Sequence, residues 1–468
     1  MEFLRLADLE STLSILKRRG RKVRSQAVKK EDLREFQNRL LVQTLSYARK
    51  FTTYYPTFLK QTLGKLTIDD LENIPTIDKR KVVFSLRRMI SIERKPCTFH
   101  RTGGTTGKPL DVPVFYDELR ARSLFNTIGT VLSHHDKLGW GVLSLEELYH
   151  GVGLAPLSDS RAYNLVYEVF QGQALSGLHN PLFREQVRRI DDIMTGKSPI
   201  LDLVGRPKML CIGPKNLFLL TKELRKLKRD PREYGLKVIC TSGNYVSSRI
   251  RRIAGEVWNA ELQDNYGLTE ICAGASECSK GNYHFDQMVV PEILHLNRFD
   301  RGRSDSTGEI ALTGLHPFQQ ALPLIRYRTG DYGRFLDQCE CGVPGRAMSS
   351  YLGRTKDCIV TGPPEGKAIL SPIPLSEALD ETGMCSSFES YDRVYPRFSW
   401  KIREKRRGRF SITVVVKTKR ETDGKRSDLR HAVVETVSQL LHSNKLDDRR
   451  YEIHAVLTPK DAARWIDL

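Results

Sequence analysis

Residues 237–270 read KVICTSGNYVSSRIRRIAGEVWNAELQDNYGLTE and carry the clearest structural pattern in the chain. A short apolar run at 237–243 precedes a segment with helical spacing at 247–259, and a second short run begins at Glu261. Strand, helix and strand in this order are typical of a parallel β-sheet covered by helices. The same alternation extends from about residue 97 to about residue 330. We therefore predict an α/β fold with mainly parallel sheets.

The N-terminal part of the chain has a different pattern. Residues 1–60 are predicted to be helical, because LREFQNRLLVQTLSYARKF has apolar residues at helical spacing. Thr67 is the predicted cap of the next helix, and Pro75 is predicted to interrupt it.

Beyond residue 353 the chain becomes more basic and again indicates strand, helix and strand. RFSITVVVK and YEIHAVLTP are the predicted strands, and SDLRHAVVETVSQLLHSN is the predicted helix, capped by Ser427. The sequence thus predicts a large N-terminal domain over 1–353 and a small α+β C-terminal domain over 354–468.

Length and charge narrow the class of protein. The chain has 468 residues, with 75 Lys plus Arg against 56 Asp plus Glu, giving a formal net charge of +19. This charge favours an anionic substrate or an acidic partner such as a carrier protein. No motif for specific nucleic-acid binding is present. No apolar run approaches the roughly 18 residues of a membrane-spanning helix, and the first residues lack a secretory pattern, so the expected location is the cytoplasm.

A Gly- and Thr-rich segment, CTFHRTGGTTGKPLDVPVF at residues 97–115, is the first candidate site. Backbone amides beside glycine and the threonine hydroxyls suit phosphate oxygens, and Lys108 adds a positive charge. The segment is not a Walker loop, because Pro109 follows Lys108 where that motif needs Ser or Thr. Read alone, the alternative is a Gly-rich hairpin turn.

Three further segments follow this one in the chain: DNYGLTE (264–270), PLIRYRTGDYGRF (323–335) and YLGRTKD (351–357). The four segments, in this order and at these separations, resemble the motifs of the adenylate-forming superfamily of acyl-CoA synthetases. The N-terminal RLLVQTLSYARKFTTYYPTFL and the block from TSGNYVSS to DNYGLTE are similar to the branch of phenylacetate–CoA ligases and their capsular-polysaccharide-biosynthesis relatives.

The resemblance implies ATP-dependent activation of a small-molecule carboxylate. The carboxylate attacks the α-phosphorus of ATP, which gives an acyl-adenylate and pyrophosphate, and a thiol, usually that of coenzyme A, then displaces AMP. Mg²⁺, lysine and backbone dipoles neutralise the approaching anions. A carrier-protein thiol or an amine stays open as the acceptor, as does a homodimer. Transfer of AMP to a deazaflavin coenzyme and a nucleotide-binding scaffold without turnover are the alternative functions.

The resemblance also implies residue roles, motif by motif. Tyr266 would line the adenine, Thr269 would contact the α-phosphate, and Glu270 would hold Mg²⁺. Asp331 would accept both ribose hydroxyls, and Arg354 would lie beside the nucleotide. The β- and γ-phosphates would be held by Thr102, Gly103, Gly104, Thr105, Thr106, Gly107 and Lys108, and the nucleotide pocket would also include Ser242, Gly243, Asn244, Asn265 and Gly267.

The sequence departs from the family pattern at three places. Asn244 replaces the acid of the usual SGE, Thr355, Lys356 and Asp357 stand where paired acids usually follow GR at the hinge, and GPPEGKAILSPIPLSEAL replaces the usual continuation after the hinge. Near the C-terminal end, VLTPKDAARWIDL offers Lys460 as the lysine that bridges the carboxylate and the α-phosphate. The alternative is a solvated lysine on a helix capped at Thr458.

Nine cysteines, an odd number, indicate thiols kept reduced in the cytosol. The spacing of Cys278, His284, Cys339 and Cys341 suits a tetrahedral zinc site, with free thiols as the alternative. Relatives in the resembling branch have a Cys/His pair and a Cys–Xaa–Cys knuckle at these places, which implies a structural Zn²⁺. Cys272 is a competing ligand, but we expect it to pack in a helix after Glu270.

Overall fold

A computed structural model describes the chain in segments separated by gaps. The described residues are 30–57, 59, 66–102, 109–122, 141–145, 165–168, 181–197, 206–296, 305–343, 345–362, 368–381, 398–406, 408–418 and 423–459. The α-helices are α1 (Lys30–Phe51), α2 (Lys79–Met89), α3 (Pro181–Thr195), α4 (Pro214–Lys226), α5 (Ser248–Arg252), α6 (Ile373–Glu381) and α7 (Asp423–Ser443).

Strands make up most of the remaining regular structure. They are β1 (Thr98–Arg101), β2 (Asp111–Val114), β3 (Gly141–Leu145), β4 (Leu165–Glu168), β5 (Met209–Ile212), β6 (Val238–Ser242), β7 (Glu261–Tyr266), β8 (Ala275–Glu277), β9 (Tyr283–Phe285), β10 (Val289–His295), β11 (Asp305–Gly314), β12 (Tyr327–Leu336), β13 (Ala347–Arg354), β14 (Ile359–Thr361), β15 (Ala368–Leu370), β16 (Phe398–Arg406), β17 (Arg409–Thr418) and β18 (Tyr451–Pro459).

Within the described part of the chain, eleven strands form one central sheet, in the order β10-β11-β12-β13-β9-β8-β7-β6-β5-β3-β4. Strands β7, β6, β5, β3 and β4 are parallel. The other neighbours in the sheet pair antiparallel, in the series β7, β8, β9, β13, β12, β11 and β10. The predicted α/β class is confirmed, and the sheet is mixed rather than mainly parallel. Within the antiparallel half, a short turn joins β8 to β9, and such a turn allows antiparallel but not parallel pairing.

The segment that decided the fold class forms β6, α5 and β7, as predicted. Strands β6 and β7 are parallel neighbours, with Ser242 paired to Asn265 at their carboxyl ends. Helix α5 continues into a π-helical turn at Ile253–Val257. Trp258 is buried after this turn, and its indole nitrogen donates to the Thr221 hydroxyl on α4 at 2.8 Å. This contact fixes the connection between β6 and β7 against the neighbouring helix.

The N-terminal helix packs with one face against the sheet. Leu40, Leu41 and Leu45 of α1 are buried in the apolar core that also contains β10 to β12. After α1, Thr67 begins a short 3-10 helix at Ile68–Asn73, and its backbone amide donates to the Asp70 carboxylate at 2.8 Å. The predicted start at Thr67 is therefore confirmed. The predicted helical structure before residue 30 lies outside the described residues.

The C-terminal region has the predicted order of strand, helix and strand around its own apolar cluster. Strand β16 is antiparallel to β17, and β18 is parallel to β17. Ser427 is not the cap of α7, because the helix already begins at Asp423 and includes the good helix formers Lys425 and Arg426. Thr458 does not cap a helix, because it pairs with Lys417 of β17 inside β18. The domain boundary at residues 353–354 stays a prediction.

Among the described residues, no helix combines the length and the apolar composition that crossing a bilayer requires.

The helix expected after Glu270 is absent, because residues 269–272 form turns and bends. Gln319 takes part in fixing this turn, since its amide donates to the Glu270 carbonyl oxygen at 3.0 Å and its side-chain oxygen accepts from the Cys272 amide.

Candidate nucleotide and metal sites

The Gly- and Thr-rich segment 97–115 contains an antiparallel hairpin. Strands β1 and β2 pair through Arg101 and Asp111. Thr102 continues the ladder, because its amide donates to the Leu110 carbonyl at 3.0 Å and its hydroxyl accepts from the Leu110 amide at 2.9 Å. The hairpin thus joins the buried Thr102 to Leu110, the residues on either side of the 103–109 stretch. The predicted phosphate-binding residues Gly103, Gly104, Thr105, Thr106, Gly107 and Lys108 lie outside the described residues.

A lysine that the sequence analysis did not single out lies beside this segment. Lys79 begins α2, after the cap Asp78, and its ammonium group donates to the Thr102 hydroxyl at 2.9 Å. Burial lowers the pKa of Lys79; the nearby carboxylate of Glu270 opposes this shift and the charge of Arg354 adds to it. Lys79 therefore places a half-buried cation close to three of the predicted site residues.

Asp331 is the centre of a buried polar network on β12. Its side chain is 1 % exposed, and its two carboxylate oxygens accept from the hydroxyl groups of Tyr266 at 2.9 Å and Tyr351 at 3.2 Å. Arg354 pairs with the same carboxylate at 3.2 Å. Burial raises the pKa of Asp331, which Arg354 and the two tyrosines oppose. The structure thus brings together Tyr266, Asp331 and Arg354, which come from three separate motifs.

The strand around Asp331 is bent at one residue. Gly330 has a φ of 75°, in the left-handed region, where the register between β11 and β12 shifts. Its carbonyl oxygen accepts from the Thr355 amide at 2.8 Å. The turn that follows β13 is therefore attached to the peptide that precedes Asp331.

Glu270 lies within electrostatic range of this network, in the turn after β7. It is buried, and one carboxylate oxygen accepts from the Tyr327 hydroxyl at 2.6 Å. Burial and the charge of Glu270 raise the pKa of Tyr327 above its usual range. Thr269, the residue before Glu270, is half-buried in the same turn. Glu270 therefore lies in a turn and not at a helix start, and Asp331 lies within a strand.

Charge balance ties these groups into one site. Burial acts to lower the pKa of Arg354, but the charge of Asp331, together with Tyr351, Tyr266 and Glu270, outweighs burial and holds this pKa above its ordinary value. Two acids, Asp331 and Glu270, thus face two bases, Lys79 and Arg354. Such balanced buried charges are costly to assemble and often mark functional sites.

The adenine block lies where β6 and β7 end side by side. Gly243 follows β6 with a φ of 79°, and Asn244 is exposed. The Asn265 side chain donates to the Thr241 carbonyl at 3.1 Å and so joins the two strand ends. Ser242 and Gly267 are the next residues at this edge. Crevices at the carboxyl ends of parallel strands are the usual ligand sites of α/β sheets.

Gly274 permits a close approach behind Tyr266. A Cβ atom at this position would lie 1.9 Å from the Tyr266 carbonyl oxygen. Any larger residue would push the turn away from the end of β7. The phenol of Tyr266 is also flanked by the rings of Phe285 and Tyr351, each with its centroid 6.1 Å away.

The four predicted zinc ligands lie together where the hairpin of β8 and β9 meets the loop between β12 and β13. The sulfur atoms of Cys278 and Cys339 are 3.8 Å apart, and the sulfur of Cys341 is 3.1 Å from Nε2 of His284. All four ligand atoms lie within 4.8 Å of one another. Two sulfurs bound tetrahedrally to Zn²⁺ at ~2.3 Å are ~3.8 Å apart, whereas a disulfide needs ~2.05 Å. The donor set and its spacing therefore fit zinc.

Hydrogen-bond donors lie near two of the sulfurs and favour the thiolate form of Cys339. The Asn282 amide donates to the Cys339 sulfur at 3.1 Å, and the Lys280 amide donates to the Cys278 sulfur at 3.4 Å. Burial acts to raise the pKa of Cys339, but hydrogen bonds from the Cys341 backbone, from Asn282 and from the neighbouring thiols outweigh burial and lower the pKa. Nδ1 of His284 is buried without a hydrogen-bond partner in the part of the chain that the structure describes. Nε2 is thus the nitrogen that faces the sulfurs.

Cys272 does not belong to this cluster. Its thiol lies 3.5 Å from the Met288 carbonyl oxygen in the apolar core, and burial raises its pKa to about 12. The expectation that it packs is borne out, although it packs from a turn and not from a helix. The other proposed C-terminal residue, Lys460, lies outside the described residues.

Comparison with solved structures identifies the fold. A 2-hydroxyisobutyryl-CoA ligase, solved in an open conformation with 2-HIB-AMP and CoA, matches with a TM-score of 0.65 and 14 % identity over 95 % of this chain and 91 % of that chain. The same ligase in the postadenylation state, with 2-HIB-AMP, matches with a TM-score of 0.63 and 16 % identity over 93 % and 88 % of the two chains.

The chain has the adenylate-forming ligase fold. In sequence it is similar to phenylacetate–coenzyme A ligase of Aromatoleum evansii, with 23 % identity over 279 residues and 58 % of either chain. The enzyme of that name from Pseudomonas putida is 26 % identical over 160 residues, 33 % of this chain and 36 % of that protein. The chain thus spans 58 % or less of the length of these curated relatives. No protein-family model matches it. The predicted resemblance to phenylacetate–CoA ligases within the adenylate-forming superfamily is confirmed.

Proposed function

We propose that this protein is an AMP-forming acid–thiol ligase, which makes an acyl-adenylate from ATP and a small carboxylate and passes the acyl group to coenzyme A. The observation that carries the proposal is the buried network of Tyr266, Asp331 and Arg354 with Glu270 and Lys79 nearby. It lies in a fold whose solved neighbour holds an acyl-AMP and CoA.

The network supplies the groups that a nucleotide needs. Asp331 offers a buried carboxylate to the two ribose hydroxyls, and Tyr266 offers an aromatic edge to the adenine. Arg354 pairs with the Asp331 carboxylate and helps to hold its orientation. Thr269 lies next to Glu270, where the α-phosphate would be bound. These residues bind and orient the nucleotide rather than react with it, as is usual in phosphoryl chemistry.

Glu270 is the residue proposed to hold Mg²⁺. Its carboxylate provides hard oxygen ligands, and Tyr327 fixes the orientation of one of them. When bound, Mg²⁺ neutralises phosphate charge and polarises the leaving pyrophosphate. The Tyr327 hydroxyl keeps Glu270 oriented toward the network before nucleotide arrives.

Lys79 is proposed to neutralise the anions that meet at this site. It joins α2 to the Gly-rich segment through Thr102, and it lies within electrostatic range of Glu270 and Arg354. A half-buried ammonium attracts anions more strongly than an exposed one, because water screens it less.

Lys79→Met is expected to lower the rate of adenylation about 10- to 100-fold, because it removes the ammonium charge but keeps the apolar stem. Pyrophosphate release measures the rate. Lys81→Met is the matched control, because Lys81 is exposed on the same helix. Equal rates for the two variants would remove Lys79 from the site.

We propose that Cys278, His284, Cys339 and Cys341 bind one structural Zn²⁺. Four protein ligands leave no open position for chemistry, so the metal would fix the hairpin of β8 and β9 to the loop after β12. The carrier-protein acceptor, the homodimer and the cytoplasmic location remain predictions.

Cys341→Ser is expected to reduce the zinc content from about one ion per chain to well below that and to lower the melting temperature, because serine is a far poorer zinc ligand than a thiolate. Elemental analysis and thermal melting provide the measurements. Cys97→Ser, at an exposed cysteine outside the cluster, should change neither quantity. Metal-free wild-type protein of undiminished stability would show that the thiols are simply free.

The proposed function is tested by pyrophosphate release over a panel of carboxylates, repeated with coenzyme A, a carrier-protein thiol and an amine. The ligase reaction releases both pyrophosphate and free AMP, and only one acceptor should give turnover. AMP retained on the product would instead support nucleotidyl transfer. ATP binding without pyrophosphate release on any carboxylate would support a scaffold.

A further inference from the structure

The hairpin of β8 and β9 connects the proposed metal site to the adenine block. Cys278 follows β8, and His284 lies in β9, so both arms of the hairpin carry metal ligands. The residue before each ligand, Glu277 or Tyr283, reaches strand β7 instead of the cluster. In each of the pairs Glu277–Cys278 and Tyr283–His284, the first residue thus contacts β7 and the second belongs to the metal cluster.

Both contacts converge on Asp264. The Tyr283 hydroxyl donates to one carboxylate oxygen of Asp264 at 2.8 Å, and the Thr241 hydroxyl of β6 donates to the other at 2.7 Å. The Glu277 carboxylate accepts from the Asp264 backbone amide at 3.0 Å. Arg251 pairs with Glu277 at 2.8 Å from the side of α5. Asp264 is 6 % exposed, so the two bonds to its carboxylate are largely shielded from water.

Asp264 in turn sets the position of the nucleotide residues. It lies two residues before Tyr266, and alternate residues of a strand share one face. Asn265, between them, accepts from the Ser276 hydroxyl of β8 at 2.8 Å and donates to the Thr241 carbonyl. A displacement of the hairpin would therefore move the end of β7 and the phenol that contacts Asp331.

We propose that Tyr283 is a positioning residue that couples metal binding at the Cys/His cluster to nucleotide binding at the end of β7. Metal held by Cys278 and His284 fixes the hairpin, and the Tyr283 hydroxyl transmits this constraint to Asp264. The proposal rests on the proposed function, since it requires that the end of β7 binds nucleotide.

Coupling of this kind is reciprocal. If Zn²⁺ strengthens ATP binding by some factor, ATP must strengthen Zn²⁺ binding by the same factor. The proposal therefore predicts two separate observations. Zinc-free protein binds ATP more weakly, and saturating ATP raises the affinity for zinc measured in equilibrium competition with a chelator.

The test compares Tyr283→Phe with Tyr234→Phe. Tyr234 is a matched control, because its hydroxyl also donates to a buried aspartate, Asp191, at 2.8 Å, but in the apolar cluster around α3 and α4. ATP affinity is measured by calorimetry on zinc-loaded and zinc-depleted protein, and zinc content by elemental analysis.

In wild type and in Tyr234→Phe, zinc removal should weaken ATP binding about tenfold, within the usual range of coupling between sites. Zinc-loaded Tyr283→Phe should keep about one zinc per chain and yet bind ATP almost as weakly as the zinc-free wild type. Zinc removal from this variant should then change ATP affinity less than about twofold.

Equal ATP affinity in zinc-loaded and zinc-free wild type would overturn the proposal, as would full coupling in Tyr283→Phe. If the zinc-free protein unfolds, the comparison is made between the zinc-loaded proteins alone. Equal ATP affinity of zinc-loaded Tyr283→Phe and zinc-loaded wild type would then overturn the proposal. Wild type that holds zinc and is folded but binds no nucleotide would instead contradict the proposed function itself, and the coupling with it.

Discussion

Asp331→Asn is expected to weaken ATP binding about 30- to 150-fold, which corresponds to ~2–3 kcal/mol. The proposed role requires one carboxylate to accept from both ribose hydroxyls, and an amide can accept with only one of its two polar atoms. The substitution also removes the negative charge that pairs with Arg354 at 3.2 Å. Asparagine keeps the shape of the side chain and one acceptor for the tyrosines, so it perturbs folding less than alanine does.

The control for this variant is Asp191→Asn. Asp191 is also a buried aspartate that accepts from a tyrosine and an arginine, Tyr234 and Arg229, but it lies on α3. Both variants should lose some thermal stability, and only Asp331→Asn should lose ATP affinity in a calorimetric titration. Unchanged ATP affinity in Asp331→Asn would refute the assignment of Asp331 to the ribose.

Glu270→Gln should slow adenylation about 100-fold, equivalent to ~3 kcal/mol in the barrier, and excess Mg²⁺ should restore only part of the rate. An amide oxygen is a much weaker ligand for a hard cation than a carboxylate. The Tyr327 hydroxyl can still donate to the amide oxygen of glutamine, so the side chain should keep its place. The expected loss therefore reflects metal binding and not a disrupted fold.

Pyrophosphate release at increasing Mg²⁺ measures the effect of Glu270→Gln. Glu223→Gln provides the comparison, because Glu223 is a buried glutamate on α4 that pairs with Lys226. It should leave the Mg²⁺ dependence unchanged. Wild-type activity in Glu270→Gln at ordinary Mg²⁺ would exclude Glu270 as the metal-binding residue.

Local patterns were sufficient to predict part of the fold and much of the site. The order of β6, α5 and β7 follows from apolar spacing within 34 residues, so it needs no knowledge of distant contacts. Tyr266, Asp331 and Arg354 were placed by short motifs, and the structure brings their side chains within hydrogen-bonding distance. The Cys/His cluster was similarly predictable, because only a few residue types bind zinc.

Features that depend on distant contacts could not be predicted. Lys79 stands in the run Lys79-Arg80-Lys81, and nothing in that run shows which side chain turns toward Thr102. The antiparallel half of the sheet pairs β13 with β9, which are separated by more than 60 residues. Asp264 belongs to the motif DNYGLTE, but the sequence does not indicate which side chain contacts it, because Tyr283 reaches Asp264 only after the hairpin of β8 and β9 folds back.

The bend at Gly330 has a consequence for building chimeras from this chain. The Gly330 carbonyl and the Asp331 amide belong to one rigid peptide plane, and the Thr355 amide is bonded to that carbonyl. The start of the C-terminal region is therefore aligned with the residue proposed to hold the ribose. The Asp357 carbonyl oxygen also accepts from the Trp400 indole at 2.6 Å. An exchange of C-terminal regions should thus keep residues 330–357 with the N-terminal parent and bring a tryptophan at position 400 from the donor.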